Sequence, residues 1–190
     1  DADLKGTRRA RVETVDDIAR LKIRVVQQPV MIDLFNALGA NAVPMPFPEV
    51  YNALEQKTVD GATNPLVTIP VMKFNEVQKF LTITRHQYNP QIIIVSKKVW
   101  DKLSPAEQKI LQDAATEATA FERKVSREKN AQALETLKKT MQITELPPSE
   151  IEKMRAKVKP VVDKHSKVVG EDLVKEINAE LAKLRTAAKK

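Results

Sequence analysis

Residues 21–65 read LKIRVVQQPVMIDLFNALGANAVPMPFPEVYNALEQKTVDGATNP, and this stretch decides the fold class. Residues 21–26 carry β-branched apolar side chains interrupted by Lys22 and Arg24, which strand alternation places on one face. Gln27-Gln28-Pro29 turns the chain, after which Val30, Ile32, Leu34, Phe35 and Leu38 recur at helical spacing and Gly39 closes the helix. Residues 41–46 form a second short strand, residues 47–54 open a second helix with Pro48 in its first turn, and residues 60–65 form a third strand stopped by Pro65. Strand and helix alternating at this interval predict an α/β fold around a parallel sheet, whose ligands bind beyond the carboxyl ends of the strands. Arg24, Phe47 and Asn64 stand at three such ends. A guanidinium, an aromatic ring and an amide in one place suit a carboxylate-sized anion with an organic body.

Outward from this stretch, residues 14–20 read as a short helix with Thr14 as N-cap and Asp16 and Asp17 in the first turn. Metal binding is the alternative use of the two carboxylates, but no histidine lies near them. Residues 68–80 are expected to be helical with Val71, Phe74 and Val77 as the inner stripe, and residues 81–84 and 91–96 to be strands. Ile92-Ile93-Ile94-Val95 is continuously apolar, the pattern of a central strand buried on both faces. Ser104-Pro105-Ala106-Glu107 opens the longest helix, expected to reach about residue 141. A short strand at 142–146 precedes two helices separated at Gly170. The amphipathic tail through Leu173, Val174, Ile177, Leu181 and Leu184 is expected to pack on the protein's own sheet, and residues 186–190 to be disordered.

The chain has 190 residues, 42% of them hydrophobic and 4% aromatic, which predicts a substantial aliphatic core. Its net charge of +7 is spread out: residues 1–100 hold 13 Lys/Arg against 10 Asp/Glu, and residues 101–190 hold 19 against 15. With no basic block interleaved with aromatics, a nucleic-acid partner is not expected. The absence of cysteine excludes disulfides, thiol nucleophiles and thiolate metal sites. No apolar run approaches the ~18 residues of a membrane span. The chain opens DADLKGTRRARVE, polar and without Met, so a leader or upstream segment is expected to precede it. No cofactor or metal is expected. His86, Glu49 and Asp60 are the acid/base candidates near the strand ends, but no Ser or Cys nucleophile accompanies them, so His86 reads as a hydrogen-bonding structural residue and catalysis is not expected.

The K-I-R-V of residues 22–25, the D-G-A-T-N-P of 60–65, KFNEVQKFLTITRH at 73–86 and KKVWDKLSPAEQKILQDAA at 97–115 occur in an order that resembles the DctP-type solute-binding proteins of tripartite ATP-independent periplasmic (TRAP) transporters. The resemblance runs from about Gly6 to Ala115. It implies a periplasmic, type II-like, two-lobed receptor that closes on a small organic acid, a dicarboxylate among the possibilities, and delivers it to membrane permease subunits. It implies further that Arg24 pairs with the ligand carboxylate, that Asn64 helps hold that group and that Phe47 packs on the ligand body. Gly6-Thr7-Arg8 fits the family's hinge arginine motif, adding Arg8 to the ligand-binding set with Arg9 and Arg11 as close competitors. Thr63 stands where family members often carry Glu. The family's amino-terminal lobe has no counterpart ahead of Gly6. The expected organisation is therefore a ligand-binding α/β lobe at 1–90, a hinge-crossing strand and long helix at 91–141, and a short strand with carboxyl-terminal helices at 142–190. Surface matched to the other lobe would then favour self-association. The alternative is a helical interaction or adaptor protein that binds no ligand itself.

Overall fold

The computed structural model describes residues 11–187. Strands β1 (Lys22–Val25), β2 (Asn41–Pro44) and β3 (Gly61–Ala62) form a parallel sheet in the order β2-β1-β3. Helix α1 (Pro29–Ala37) makes the β1–β2 crossover, starting on proline and ending where Gly39, at φ +89°, donates its N–H to the Asn36 carbonyl. Only glycine takes that left-handed conformation without cost, and a side chain there would also meet Ala19 at 3.4 Å. A 3₁₀ turn, Phe47–Glu49, leads into α2 (Val50–Glu55). The short helices α3 (Thr68–Val71) and α4 (Phe74–Val77) follow, and β4 (Phe80–Ile83) pairs in parallel with β5 (Gln142–Glu145) as a second sheet. Between β4 and β5 come α5 (Lys97–Trp100) and the 33-residue α6 (Pro105–Leu137), and β5 is followed by α7 (Pro148–Val169) and α8 (Glu171–Ala187).

Strand alternation separates two apolar clusters across the first sheet. Val25, with Ile23 against it, faces Phe35, Leu38, Ile18 and Met154, so α1 and α7 cover that side. Val43 and Ala62 face the cluster of Val50, Leu54, Ile69, Phe74 and Leu137, contributed by α2, α3, α4 and the end of α6. Arg24 lies in register between Val43 and Ala62, on the second face. Ser104 and Glu107 form the capping box expected at the start of α6, with the Ser104 N–H donating to Glu107 Oε2 at 2.8 Å. No described helix is long and apolar enough to cross a membrane.

Four sequence expectations are corrected. Residues 68–80 do not form one helix: Lys73 adopts φ 58°, the chain breaks there, Val71 is 77% exposed, and Phe80 begins a strand. Residues 91–96 are not a strand, and Ile92 and Ile94 are 78% and 85% exposed. A continuous β-branched run is buried only when neighbouring strands and covering layers exist, and among the described residues nothing pairs with it. The tail forms α8, which buries no residue and so does not pack on the sheet. Thr186 and Ala187, expected to be disordered, belong to α8.

Ion pairs tie the helices to the first sheet's connections. Asp16 accepts hydrogen bonds from Lys153 and Lys157 of α7, and Asp33 of α1 accepts from Lys164 and His165, each at 2.7 Å. The Lys153 hydrogen bond, then that of Lys157, pulls the Asp16 carboxyl from 3.8 down to about 2. A carboxyl depressed in the folded state stabilises fully above its unfolded pKa and loses that contribution as pH falls through the folded value. Asp16→Asn therefore lowers the melting temperature above about pH 5, and the gap to the parent closes as pH falls toward the Asp16 value of about 2; a gap constant across a pH series of thermal melts would contradict this. Leu137 is 0% exposed where α6 meets the second cluster, so Leu137→Ala costs about 2–5 kcal/mol in chemical denaturation, whereas a change within ~0.5 kcal/mol would place α6 outside the core.

Candidate anion-binding site

The Arg24 side chain leaves β1 on the face shared with Val43 and Ala62 and is only 2% exposed. Its Nε and Nη2 both donate to the Met45 carbonyl, at 3.0 and 2.8 Å. The Phe47 ring lies over the guanidinium with Cζ 5.8 Å from the ring centroid, a cation–π arrangement, and meets Phe74 edge-on at 6.1 Å. Phe47 is itself 39% exposed. No described carboxylate pairs with Arg24, and burial alone pushes its pKa downward. The guanidinium remains cationic at neutral pH because its ordinary value is so high. The result is a buried positive charge whose described hydrogen-bond partner is one neutral carbonyl.

Asn64 lies two residues beyond Ala62, the register partner of Arg24, so the parallel sheet brings β1 and β3 out on one edge. Asn64, however, lines a cavity of about 510 Å³ between β3 and β4, together with Thr63, His86 and Gln87. Arg24 and Phe47 do not line that cavity. The structure therefore joins Arg24 to Phe47 directly and sets Asn64 on the β4 side of β3. Arg8 lies outside the described residues. Its competitor Arg11 is engaged elsewhere, with Glu13 at 3.0 Å and Thr144 of β5 at 3.1 Å.

The acid/base candidates are split: Asp60 and His86 line the cavity beside β3, and Glu49 does not. Asp60 accepts the Lys22 N–H at 2.8 Å, at the amino end of β1, whereas Glu49 ends the 3₁₀ turn that follows the carboxyl end of β2. His86 Nδ1 lies 2.6 Å from the Thr84 hydroxyl, its ring meets Phe35 edge-on at 5.4 Å, and burial lowers its pKa, favouring the neutral imidazole. Among the described residues no group of three or more His, Asp or Glu is placed to hold a metal ion. Sequence reasoning missed the Met45 carbonyl, because a backbone acceptor carries no side-chain signature. The prolines at 44, 46 and 48 are the signal that something in this segment is held rigidly.

The sequence matches the family described as bacterial extracellular solute-binding protein, family 7 (DctP), over residues 3–168. It is 41% identical over 130 residues to the 2,3-diketo-L-gulonate-binding periplasmic protein YiaO of Escherichia coli K12, covering 68% of this chain and 40% of that protein. A TRAP periplasmic solute-binding protein from Ochrobactrum anthropi, solved with its C-terminus bound in the ligand-binding pocket, superposes with a TM-score of 0.87 at 54% identity, over 94% of this chain and 56% of that one. The sugar acid binding protein DctPAm of Advenella mimigardefordensis, solved with galactonate, gives 0.82 at 44% identity, over 89% and 55%. The chain thus spans about half the length of these relatives. With the family matched over most of its length, this α/β chain belongs to the DctP family of solute-binding proteins, which are receptors rather than enzymes.

Proposed function

We propose that this chain forms one wall of a periplasmic receptor for a small organic acid, with sugar acids the leading class, and that the receptor hands its ligand to the permease subunits of a TRAP-type transporter. Arg24 carries the reading: among the described residues this 2% exposed cation meets only the neutral Met45 carbonyl and no counter-charge, and a carboxylate supplies one. An acid reaches the guanidinium only when its cover moves, and Phe47, 39% exposed, is the part of that cover open to solvent. The displaced ring then lies against the ligand body. Asn64, in the neighbouring cavity, and Arg8 stay in this reading as further ligand-binding residues. Two of the matched relatives are described as binding 2,3-diketo-L-gulonate and galactonate, which supports a hydroxylated acid, and Thr63 leaves that edge without an added negative charge. In this reading 1–90 is the ligand-binding lobe, 91–141 carries the hinge crossing and long helix, and 142–190 braces the lobe.

The exposed run at 92–95 supports self-association. Ile92 and Ile93 border a groove against Ala115, Thr119 and Ala120 of α6, and four β-branched side chains stand in water beside it. A second reading, a helical adaptor without a ligand, draws on α8, where Leu173 and Ile177 are each 50% exposed.

Calorimetry with galactonate separates the receptor from the adaptor. Galactonate binds the parent chain, and Arg24→Ala loses about 2–5 kcal/mol of binding free energy with its unfolding transition intact. Arg24→Lys loses most of the same amount, because an ammonium cannot present a planar fork to two carboxylate oxygens. Unchanged affinity in both variants overturns the assignment, and a folded parent that ignores every organic acid favours the adaptor. Light scattering over a concentration series tests association: the parent dimerises, and Ile92→Glu with Ile94→Glu keeps it monomeric. A parent that stays monomeric throughout rules out that use of the run.

A further inference from the structure

We infer that the Pro44–Phe47 segment is a built-in holder for Arg24, in which the Met45 carbonyl occupies the Nε side of the guanidinium and leaves its far edge to meet an acid once the Phe47 cover moves. The inference rests on the receptor reading above and goes beyond it by assigning a positioning role to a backbone group.

The geometry follows from covalent structure. A guanidinium carries five N–H donors in a fixed plane. Nε–H and one Nη2 hydrogen point to the same side, and the Met45 oxygen accepts both, at 3.0 and 2.8 Å. The second Nη2 hydrogen and the Nη1 pair point away from that oxygen, and this outer edge spaces two donors to meet two carboxylate oxygens. Cζ also lies 5.8 Å from the Phe47 ring centroid, so the ring is part of the cover that an anion displaces on its way to that edge.

Met45 is fixed on both sides. Its N–H donates to the Val25 carbonyl at 3.2 Å, extending the β1–β2 ladder past Pro44 by one residue. Pro46 follows it, which biases Met45 toward extended backbone, and the Met45 carbonyl meets the side chain of Arg24, the residue before Val25. Pro46 itself sits at φ −56° and ψ 146°, and Pro48 locks the turn that carries Phe47. The alternate prolines thus hold a carbonyl and an aromatic ring on one arginine. An arginine so held loses little side-chain freedom when an anion arrives, since its orientation is set before binding.

The test uses the whole chain, labelled with nitrogen-15, and follows hydrogen exchange at the arginine Nε–H groups, with Arg24 assigned by loss of its signal in Arg24→Lys. Arg24 Nε–H exchanges at least about tenfold more slowly than those of Arg123 and Arg127, exposed on α6, which is the order of protection that one net hydrogen bond provides. Met45→Leu keeps the carbonyl and keeps the protection. Pro46→Gly frees the segment and removes the protection while the amide spectrum of α6 and α7 stays as in the parent; should that variant unfold, Pro46→Ala serves instead. Added galactonate shifts the Arg24 Nη signals and leaves Nε–H protected. Exchange at Arg24 as fast as at Arg123, protection that survives both Pro46 variants, or protection lost on adding galactonate would each overturn the holder. A protected Nε–H with no galactonate response at any Arg24 nitrogen leaves the holder standing and overturns the receptor reading on which its open edge depends.

Discussion

A guanidinium removed from water needs its donors met and its charge opposed, and Arg24 has one carbonyl for the first requirement and no described group for the second. Much of the surrounding architecture follows from keeping that side chain where it is. Parallel pairing sets Val43 and Ala62 on either side of it. The proline-rich exit of β2 turns Met45 and Phe47 over it, and Phe74 of α4 supports the Phe47 ring. An isolated buried charge destabilises a fold by several kcal/mol unless something offsets it, so its retention inside an apolar cluster points to a role outside stability. Binding an anion is the role we propose for this arrangement, and it requires no proton to move.

The strand–helix alternation of residues 21–65 was legible because each boundary carries its own chemistry: Pro29 at a helix start, Gly39 at a positive φ, Pro65 after a strand. Arg24 and Phe47 were legible as neighbours for the same reason, since parallel strands emerge on one edge. The depth of Arg24 was not, because alternation assigns a face and does not say whether helices cover it. Met45 acts through a carbonyl, which side-chain patterns do not reveal. Residues 68–80 misled because Val71, Phe74 and Val77 share a helical period, while the break at Lys73 comes from a left-handed residue that no propensity marks.

Residues 92–95 misled in a more useful way. Four consecutive β-branched residues do have the composition of a buried strand, yet they stand exposed beside an α6 whose Ile110 and Phe121 are 66% and 69% exposed. Local pattern reports what a segment is suited to, whereas burial requires a partner. The chain spans about half the length of its relatives, and this exposed apolar surface is the one we propose a second copy covers. The surroundings of Arg24 are different in kind: their contacts are already made within residues 24–74, by one sheet and the short elements behind it.

The most direct test is a crystal structure of this chain grown with galactonate. The expected result is a carboxylate on the outer edge of the Arg24 guanidinium, both of its oxygens within hydrogen-bond distance of Nη1 and Nη2, with the Met45 carbonyl still on Nε and the Phe47 ring moved onto the ligand. Galactonate bound elsewhere, with Arg24 unchanged beneath Phe47, would contradict it.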